Sequence, residues 1–487
     1  MISFYSTNDP SRTRVDFITA LLNGLPEDYG LYTVARDDLP HFTAEQLQSM
    51  RAMEYWQIAS MVLCPFLDGS IPRDTAEGLI RQAYDPSRIS TRIQRVLDTL
   101  SIMWLTGGPS FSFKDYAALF YAVVLDFILQ SMGRFRLILV ATSGDTGAAI
   151  AAAVRGLKRL AGVIFFPLGE ISHLQRLQMD TIGENTYAIG YRGDFDTGQE
   201  IVKRLLRDQE FSSQLFGEPD MLTSANSISV GRLLPQMVYP FYAYARQATD
   251  APFLACIPSG NFGDMMGTVL AASMGLPVKR IICGVNGNKT FPRFLDTGVY
   301  SVEKTHRSPS SAMNVAHPSN VARLFDRYGG HIFDERDSET HRILHQGVVT
   351  RLPDLRMMRE HIFASSVSDP DHDAAMVEAF TTHGVVLDPH GAVGWSALQD
   401  YRVRSGDQAP AVIYETADPA KFPEDVLRAL GFEPSVPEGL RQLHGKPRRI
   451  IELHCQPDTI GDGKYTPSRD QMEEAKEAIR SLQIQFG

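Results

Sequence analysis

Between residues 134 and 260 the apolar positions follow two alternating patterns. Short unbroken runs rich in β-branched residues, Leu137 to Val140, Val163 to Phe166, Thr186 to Tyr191 and Phe253 to Ile257, are separated by Ala148 to Arg155, Ile171 to Met179 and Thr197 to Leu206, where apolar residues recur at helical spacing. An unbroken run suits a strand buried on both faces, and helical spacing suits a helix with one face on a core. Their alternation predicts an α/β fold built on parallel sheet. The pattern resumes with a helix from Met265 and a strand Arg280 to Val285, then a turn-rich stretch from Asn286 to Asn320. A helix Asp373 to Thr382, a strand Val385 to Leu387, a helix Gly391 to Tyr401 and a strand Ala411 to Glu415 follow.

The flanks read differently. Residues 1 to about 95 carry helical patterns, among them Phe17 to Leu25, Thr43 to Cys64 and Thr75 to Ala83, with turns at Asp68-Gly69 and Asp85-Pro86, and predict a helical N-terminal domain. The longest apolar stretch, Tyr116 to Met132, is interrupted by Asp126 and followed by Gly133-Arg134, which predicts a buried helix in place of a membrane span. Gln471 to Leu482 reads as a closing helix, either a cap or a tail.

A chain of 487 residues exceeds what one core organises, so two or three domains are expected. With 44% apolar and 21% charged residues it has the composition of a globular protein. A net charge of -10 gives no reason to expect nucleic acid or an anionic membrane as partner, so an anionic ligand must be held locally. Cys64, Cys256, Cys283 and Cys455 are far apart and form no metal-binding or redox pair, and the N-terminus lacks a basic and then apolar leader. A cytoplasmic protein without a metal is the expectation.

Chemistry concentrates in Pro109-Ser-Phe-Ser-Phe-Lys-Asp115. A lysine between phenylalanines is partly desolvated, which disfavours its charged form and favours Schiff-base chemistry. The same heptapeptide also fits a first-turn lysine whose stem lies over its aromatic neighbours. Two loops of small residues follow strands and open helices, Ala141-Thr-Ser-Gly-Asp-Thr-Gly147 and Pro258-Ser-Gly-Asn-Phe-Gly-Asp264. Such loops are anion sites or plain packing turns. Neither matches a dinucleotide or Walker pattern. Together with Lys114 they suit a ligand with a phosphate at one end and a carbonyl at the other, the shape of pyridoxal 5'-phosphate.

At these residues the chain resembles the threonine synthase family, pyridoxal phosphate enzymes of fold type II. The resemblance runs in order through Ala20 to Leu25 with Gly30-Leu-Tyr32, Gly108 to Asp115, Ala141 to Gly147, Ser224 to Ser229, Pro258 to Asp264, Pro292 to Leu295, Pro389 to Val393 and Glu415 to Phe422. It covers about residues 1 to 430. It implies two open parallel-sheet domains and a helical N-terminal domain: residues 1–95 helical, 96–130 with 236–435 a large cofactor domain, 131–235 a small domain, and 436–487 an extension. It further implies that Lys114 carries the cofactor and then acts as mobile acid and base. Gly260, Asn261, Phe262, Gly263 and Asp264 would take the cofactor phosphate, Thr416 the pyridine nitrogen, and Asp145 would lie near the ring oxygen. Ser110, Thr142, Ser143, Gly144 and Thr146 would hold the substrate's amino-acid end, and Asn226, Ser227 and Arg232 its phosphate. A helix-capping role is expected for His390.

Four positions depart from the family pattern: Gly107 and Asp418 where histidines are usual, Glu170 for a lysine, and Asn314 for an aspartate. The expected activity is conversion of O-phospho-L-homoserine to L-threonine by a monomer or homodimer. The departures leave open a paralogue acting on a related phosphorylated or phosphonate amino acid, and a catalytically silent ligand-binding homologue.

Overall fold

The computed structural model describes residues 2–142, 144–169, 171–247, 249–337, 343–460 and 464–484. The chain forms two compact units, one made of Met1–Phe113 and Ser227–Pro434, the other of Lys114–Asn226 and Ser435–Gly487. Residues 1–95 therefore lie within the first unit, and 436–487 within the second.

The first unit is built on a six-stranded sheet in the order Ile362–Ser366, Val278–Val285, Phe253–Pro258, Ala411–Glu415, Leu100–Gly107, Ser90–Leu97. All neighbours pair in parallel except the last, where Ser90–Leu97 runs antiparallel. The central strands are buried along their whole length, which is why their sequences read as unbroken apolar runs. One face packs on the helices Asp369–His383 and Pro389–Ser405 through Met376, Trp395, Leu398 and Ile413. The helices expected near the N-terminus form at Phe17–Asn23, Ala44–Ser49, Tyr55–Leu67 and Arg73–Ala83, the second closed by a Thr43–Gln46 capping box.

Five parallel strands form the sheet of the second unit, in the order Ile450–Glu452, Thr186–Tyr191, Leu160–Pro167, Arg136–Ala141, Leu222–Ser224. The closing helix, Arg469–Ser481, places Ala475, Ala478 and Ile479 in the core with Leu139, Phe165 and Ile201, and Ile450–Glu452 adds the edge strand. The end of the chain is thus an integral part of this fold. Lys114–Met132 is long and apolar enough to cross a membrane by length and composition, yet 72% of its most apolar window is buried in the protein.

Three local expectations are corrected. Val385 to Leu387 forms no strand: the Val385 N–H donates to Ala379 O and the Asp388 N–H to Glu415 Oε1, so a helix end and a carboxyl group take the donors a ladder would use. The turn-rich stretch after Asn286 contains a helix, Thr290–Thr297. The first hundred residues also carry strands, Phe4–Ser6 against Tyr32–Val34 and the hairpin arm Ser90–Leu97, whose mixed polarity reflects an edge with one wet face.

Candidate active site

Three of the predicted motifs leave the first sheet from adjacent parallel strands. Phe253–Pro258 leads into Ser259 to Gly263, Ala411–Glu415 into Thr416, and Leu100–Gly107 into the Gly108 to Lys114 stretch. Because the strands are parallel, these loops all emerge at carboxyl ends, the place where open α/β sheets bind ligands.

The Gly260 loop has the geometry of an anion cradle. Phe262 takes a left-handed conformation (φ 61°) before the helix Gly263–Ser273, with its ring edge-on to Phe291 at 4.9 Å. Among the described residues, the backbone N–H groups of Gly260, Asn261, Phe262 and Gly263 have no protein acceptor. Four open donors at a helix N-terminus fit a phosphate dianion. Asn261 is held from behind, its carbonyl accepting from Asn320 Nδ2 at 2.8 Å and its side-chain oxygen from the Ser319 N–H at 3.3 Å. Asp264 is buried near Tyr414, whose hydroxyl it helps to push up after desolvation.

Gly260 is required by close approach: a Cβ there would lie 2.8 Å from Ala312 O and 3.2 Å from Met313 Cα, both backbone. Gly260→Ala is therefore expected to weaken pyridoxal phosphate binding by about tenfold, the scale of one displaced phosphate hydrogen bond. Fluorescence titration of the cofactor-free protein reads it; an unchanged dissociation constant would remove the loop from the cofactor site.

The lysine stretch is zipped to the Thr416 strand end. The Phe113 N–H donates to Thr416 O at 2.8 Å, Ser112 bridges Ala417, and the Asp418 N–H donates to Phe111 O at 3.0 Å. Lys421, fully buried, donates to Ser110 O at 2.8 Å, and the Tyr239 hydroxyl donates to Phe113 O at 2.9 Å. The two signature motifs, some 300 residues apart in the sequence, thus hold one another. Ser110 is buried with its hydroxyl 2.9 Å from that of Ser112, and the Thr416 hydroxyl has no protein partner among the described residues.

Arg232 is buried in the short helix Val230–Leu233, and its carbonyl accepts from Gln236 Nε2 at 2.6 Å. Ser227, just upstream, is half-buried and forms no side-chain hydrogen bond among the described residues. His390 does not cap its helix: Asp388 does, accepting from the Gly391 N–H at 2.6 Å. The imidazole ties loops together instead, with Nδ1 donating to Asp388 at 2.6 Å and Nε2 accepting from the Ala312 N–H at 3.2 Å, behind Gly260. Glu415 is fully buried beside Asp388, and desolvation with that neighbouring carboxylate holds its carboxyl well above the usual range.

In the second unit Lys114 opens its helix, and its Nζ lies 3.5 Å from Asp145 Oδ2, with side chains 14% and 3% exposed. Gln175 Nε2 donates to the other carboxylate oxygen at 2.9 Å, while its Oε1 accepts from the Ser172 N–H as half of a capping box. Gly144 (φ 136°) gives that amide room, since a Cβ would lie 2.5 Å from it. The Thr142 oxygen accepts from the Gly144 and Gly147 N–H groups, so it shapes the loop, leaving its O–H as the group available to a ligand. Thr146 is half-buried in the first turn of Asp145–Val154, and Asn226 follows Leu222–Ser224 with its amide unbonded among the described residues. Ser143 lies outside the described residues.

Gln175 was not expected, although Ser172-x-x-Gln175 is a legible capping box. Arg323 was missed as well, hidden among the apolar residues Val321, Leu324 and Phe325.

Three of the departures have local explanations. A Cβ on Gly107 would lie 1.9 Å from Ser90 O, so the edge strand leaves no space for a side chain. Asn314 accepts from Asn286 Nδ2 at 2.9 Å and donates to Ser308 O at 3.3 Å, using both ends of an amide. Asp418 caps a short turn through the Ala420 N–H at 2.9 Å, and burial raises its carboxyl. Glu170 lies outside the described residues.

Comparison with known proteins accords with this geometry. A family of pyridoxal-phosphate dependent enzymes matches residues 104–346, the threonine synthase N terminus matches 3–84 and the threonine synthase C-terminal region 391–462. The chain is 33% identical to threonine synthase of Serratia marcescens over 95% of its own length and 98% of that protein. Against the Escherichia coli K12 enzyme the figures are 32%, 91% and 94%. Among solved structures, a pyridoxal phosphate-bound threonine synthase from Brucella melitensis superimposes with a TM-score of 0.85 at 30% identity over 99% of each chain. The yeast threonine synthase does so at 0.84 and 25% identity over 98% of each chain. The likeness extends beyond residue 430, where the motif resemblance ended.

Proposed function

Because this chain belongs to the threonine synthase family of pyridoxal phosphate enzymes, we propose that it converts O-phospho-L-homoserine and water to L-threonine and inorganic phosphate. The observation that carries the reading is the convergence of the Gly260 donor loop, the Thr416 hydroxyl and the chain entering Lys114 at the carboxyl ends of adjacent strands. The bound cofactor supplies the electron sink that makes the substrate α-proton acidic.

The protein's own groups do the rest. Lys114 holds the cofactor, then removes the α-proton and serves the proton transfers at the β- and γ-carbons; Asp145, fixed by Gln175, orients its amine. Phosphate leaves the γ-carbon only if its charge is neutralised, the task assigned to Arg232 with Ser227 and Asn226. Water then adds at the β-carbon. Thr416 accepts or donates at the pyridine nitrogen without the full charge of a carboxylate. The Thr142 O–H, Gly144 and Thr146, at the head of a helix, suit the substrate carboxylate. Gly107, Asn314 and Asp418 answer to local packing and capping, which favours an unchanged substrate over a rebuilt pocket.

Incubating the cofactor-loaded protein with O-phospho-L-homoserine, and following phosphate and amino acid together, is expected to give equimolar phosphate and threonine. A 2-oxo acid would reassign it as a phospholyase, and no phosphate release would reject the reading.

A further inference from the structure

Arg323 is fully buried, and its guanidinium spends each arm on a different segment of the first unit. Nε donates to Tyr32 O at 2.8 Å, one terminal nitrogen to Asn320 Oδ1 at 2.5 Å and the other to Ile228 O at 2.6 Å. Asn320 in turn donates to Asn261 O, the centre of the cofactor-phosphate loop. Ile228 sits between Ser227 and Ser229, in the segment assigned to the substrate phosphate. All the partners of the guanidinium are neutral, and among the described residues no carboxylate pairs with it; burial lowers it to about 9, so it is charged at neutral pH. A buried cation without a counter-charge is unfavourable unless an anion elsewhere in its low-dielectric surroundings offsets it.

We propose that Arg323 is a positioning residue whose one guanidinium sets both phosphate sites, tying the cofactor-phosphate loop to the Ser227–Ser229 segment and lending both an uncompensated positive charge. The substrate half rests on the function proposed above; the cofactor half requires no turnover. The planar fork explains why arginine stands there, since its three nitrogens reach three separated acceptors in fixed directions, whereas the donors of a lysine all radiate from one nitrogen.

The test compares wild type, Arg323→Met and Arg323→Lys, each shown to melt cooperatively, using pyridoxal phosphate and phosphate-free pyridoxal as probes. Arg323→Met is expected to raise the dissociation constant for pyridoxal phosphate by about tenfold or more and that for pyridoxal by less than about twofold. Arg323→Lys should fall between. The KM for O-phospho-L-homoserine should rise in parallel, with kcat at saturation falling by less than KM rises. Equal weakening of both aldehydes would show a structural role only, and no weakening would equally overturn the proposal. Should Arg323→Met fail to fold, Asn320→Ala removes the side-chain relay from Arg323 to Asn261 and keeps the Tyr32 and Ile228 bonds: selective weakening of pyridoxal phosphate supports the link, and wild-type affinity refutes it. A wild type that binds the cofactor but releases no phosphate would refute the proposed reaction, while the two aldehydes still decide the cofactor half.

Discussion

Replacing Lys114 with alanine is expected to lower turnover of O-phospho-L-homoserine by at least about a thousandfold, since covalent attachment and general acid–base work are lost together. The side chain is largely buried and its amine faces the Asp145 carboxylate, itself held on its other oxygen by Gln175. Truncation leaves that carboxylate without its cation but removes nothing from the Gly260 loop, so the variant should still bind pyridoxal phosphate while losing the visible absorption of the lysine-linked form. Lys114→Arg separates charge from chemistry. It keeps a cation opposite Asp145 but cannot give up a proton at working pH, and it should be as inactive as the alanine variant. Substantial turnover by either protein would refute the role of Lys114.

The second large effect is expected at Arg232. Its guanidinium is buried one helical turn from Gln236, whose side chain packs against Gly263 at the head of the cofactor helix. Removing one partner of a buried charge-assisted pair costs about 3 kcal/mol, or about a hundredfold in binding. Arg232→Met should therefore raise KM for O-phospho-L-homoserine by about that factor while leaving pyridoxal phosphate affinity within about threefold, because the cofactor's donors are backbone groups of another loop. This split differs from the parallel loss expected at Arg323. Steady-state kinetics with cofactor titration reads both, and an unchanged KM would remove Arg232 from the substrate site.

The candidate site proposed above was legible in the sequence wherever its residues are neighbours in the chain. A strand-to-helix anion loop is contiguous in the chain, so the run from Ser259 to Gly263 stands out as a candidate phosphate site, and Lys114 stands out because an amine among aromatics at the head of an apolar run is unusual. Side chains that act from a distance were not legible. Gln175 reaches Asp145 from 30 positions away, and Arg323 bonds segments that lie 95 and 291 positions from it; no local pattern encodes such contacts. His390 illustrates the same limit, for its place near a helix start suggested a cap, whereas Asp388 takes the cap and the imidazole bonds Ala312.

The sequence by itself determined the α/β class, the parallel core strands of the two large sheets and the candidate cofactor motifs, because hydrophobic period and loop composition are properties of neighbouring residues. The tertiary structure alone decided strand order, which places three separate motifs at adjacent carboxyl ends. It also decided that Val385 to Leu387 is no strand, that the closing helix belongs to a core, and that Gly107 answers to the Ser90 carbonyl. These outcomes depend on which distant backbone groups compete for the same hydrogen bonds and the same space, and that competition exists only once the chain has closed on itself.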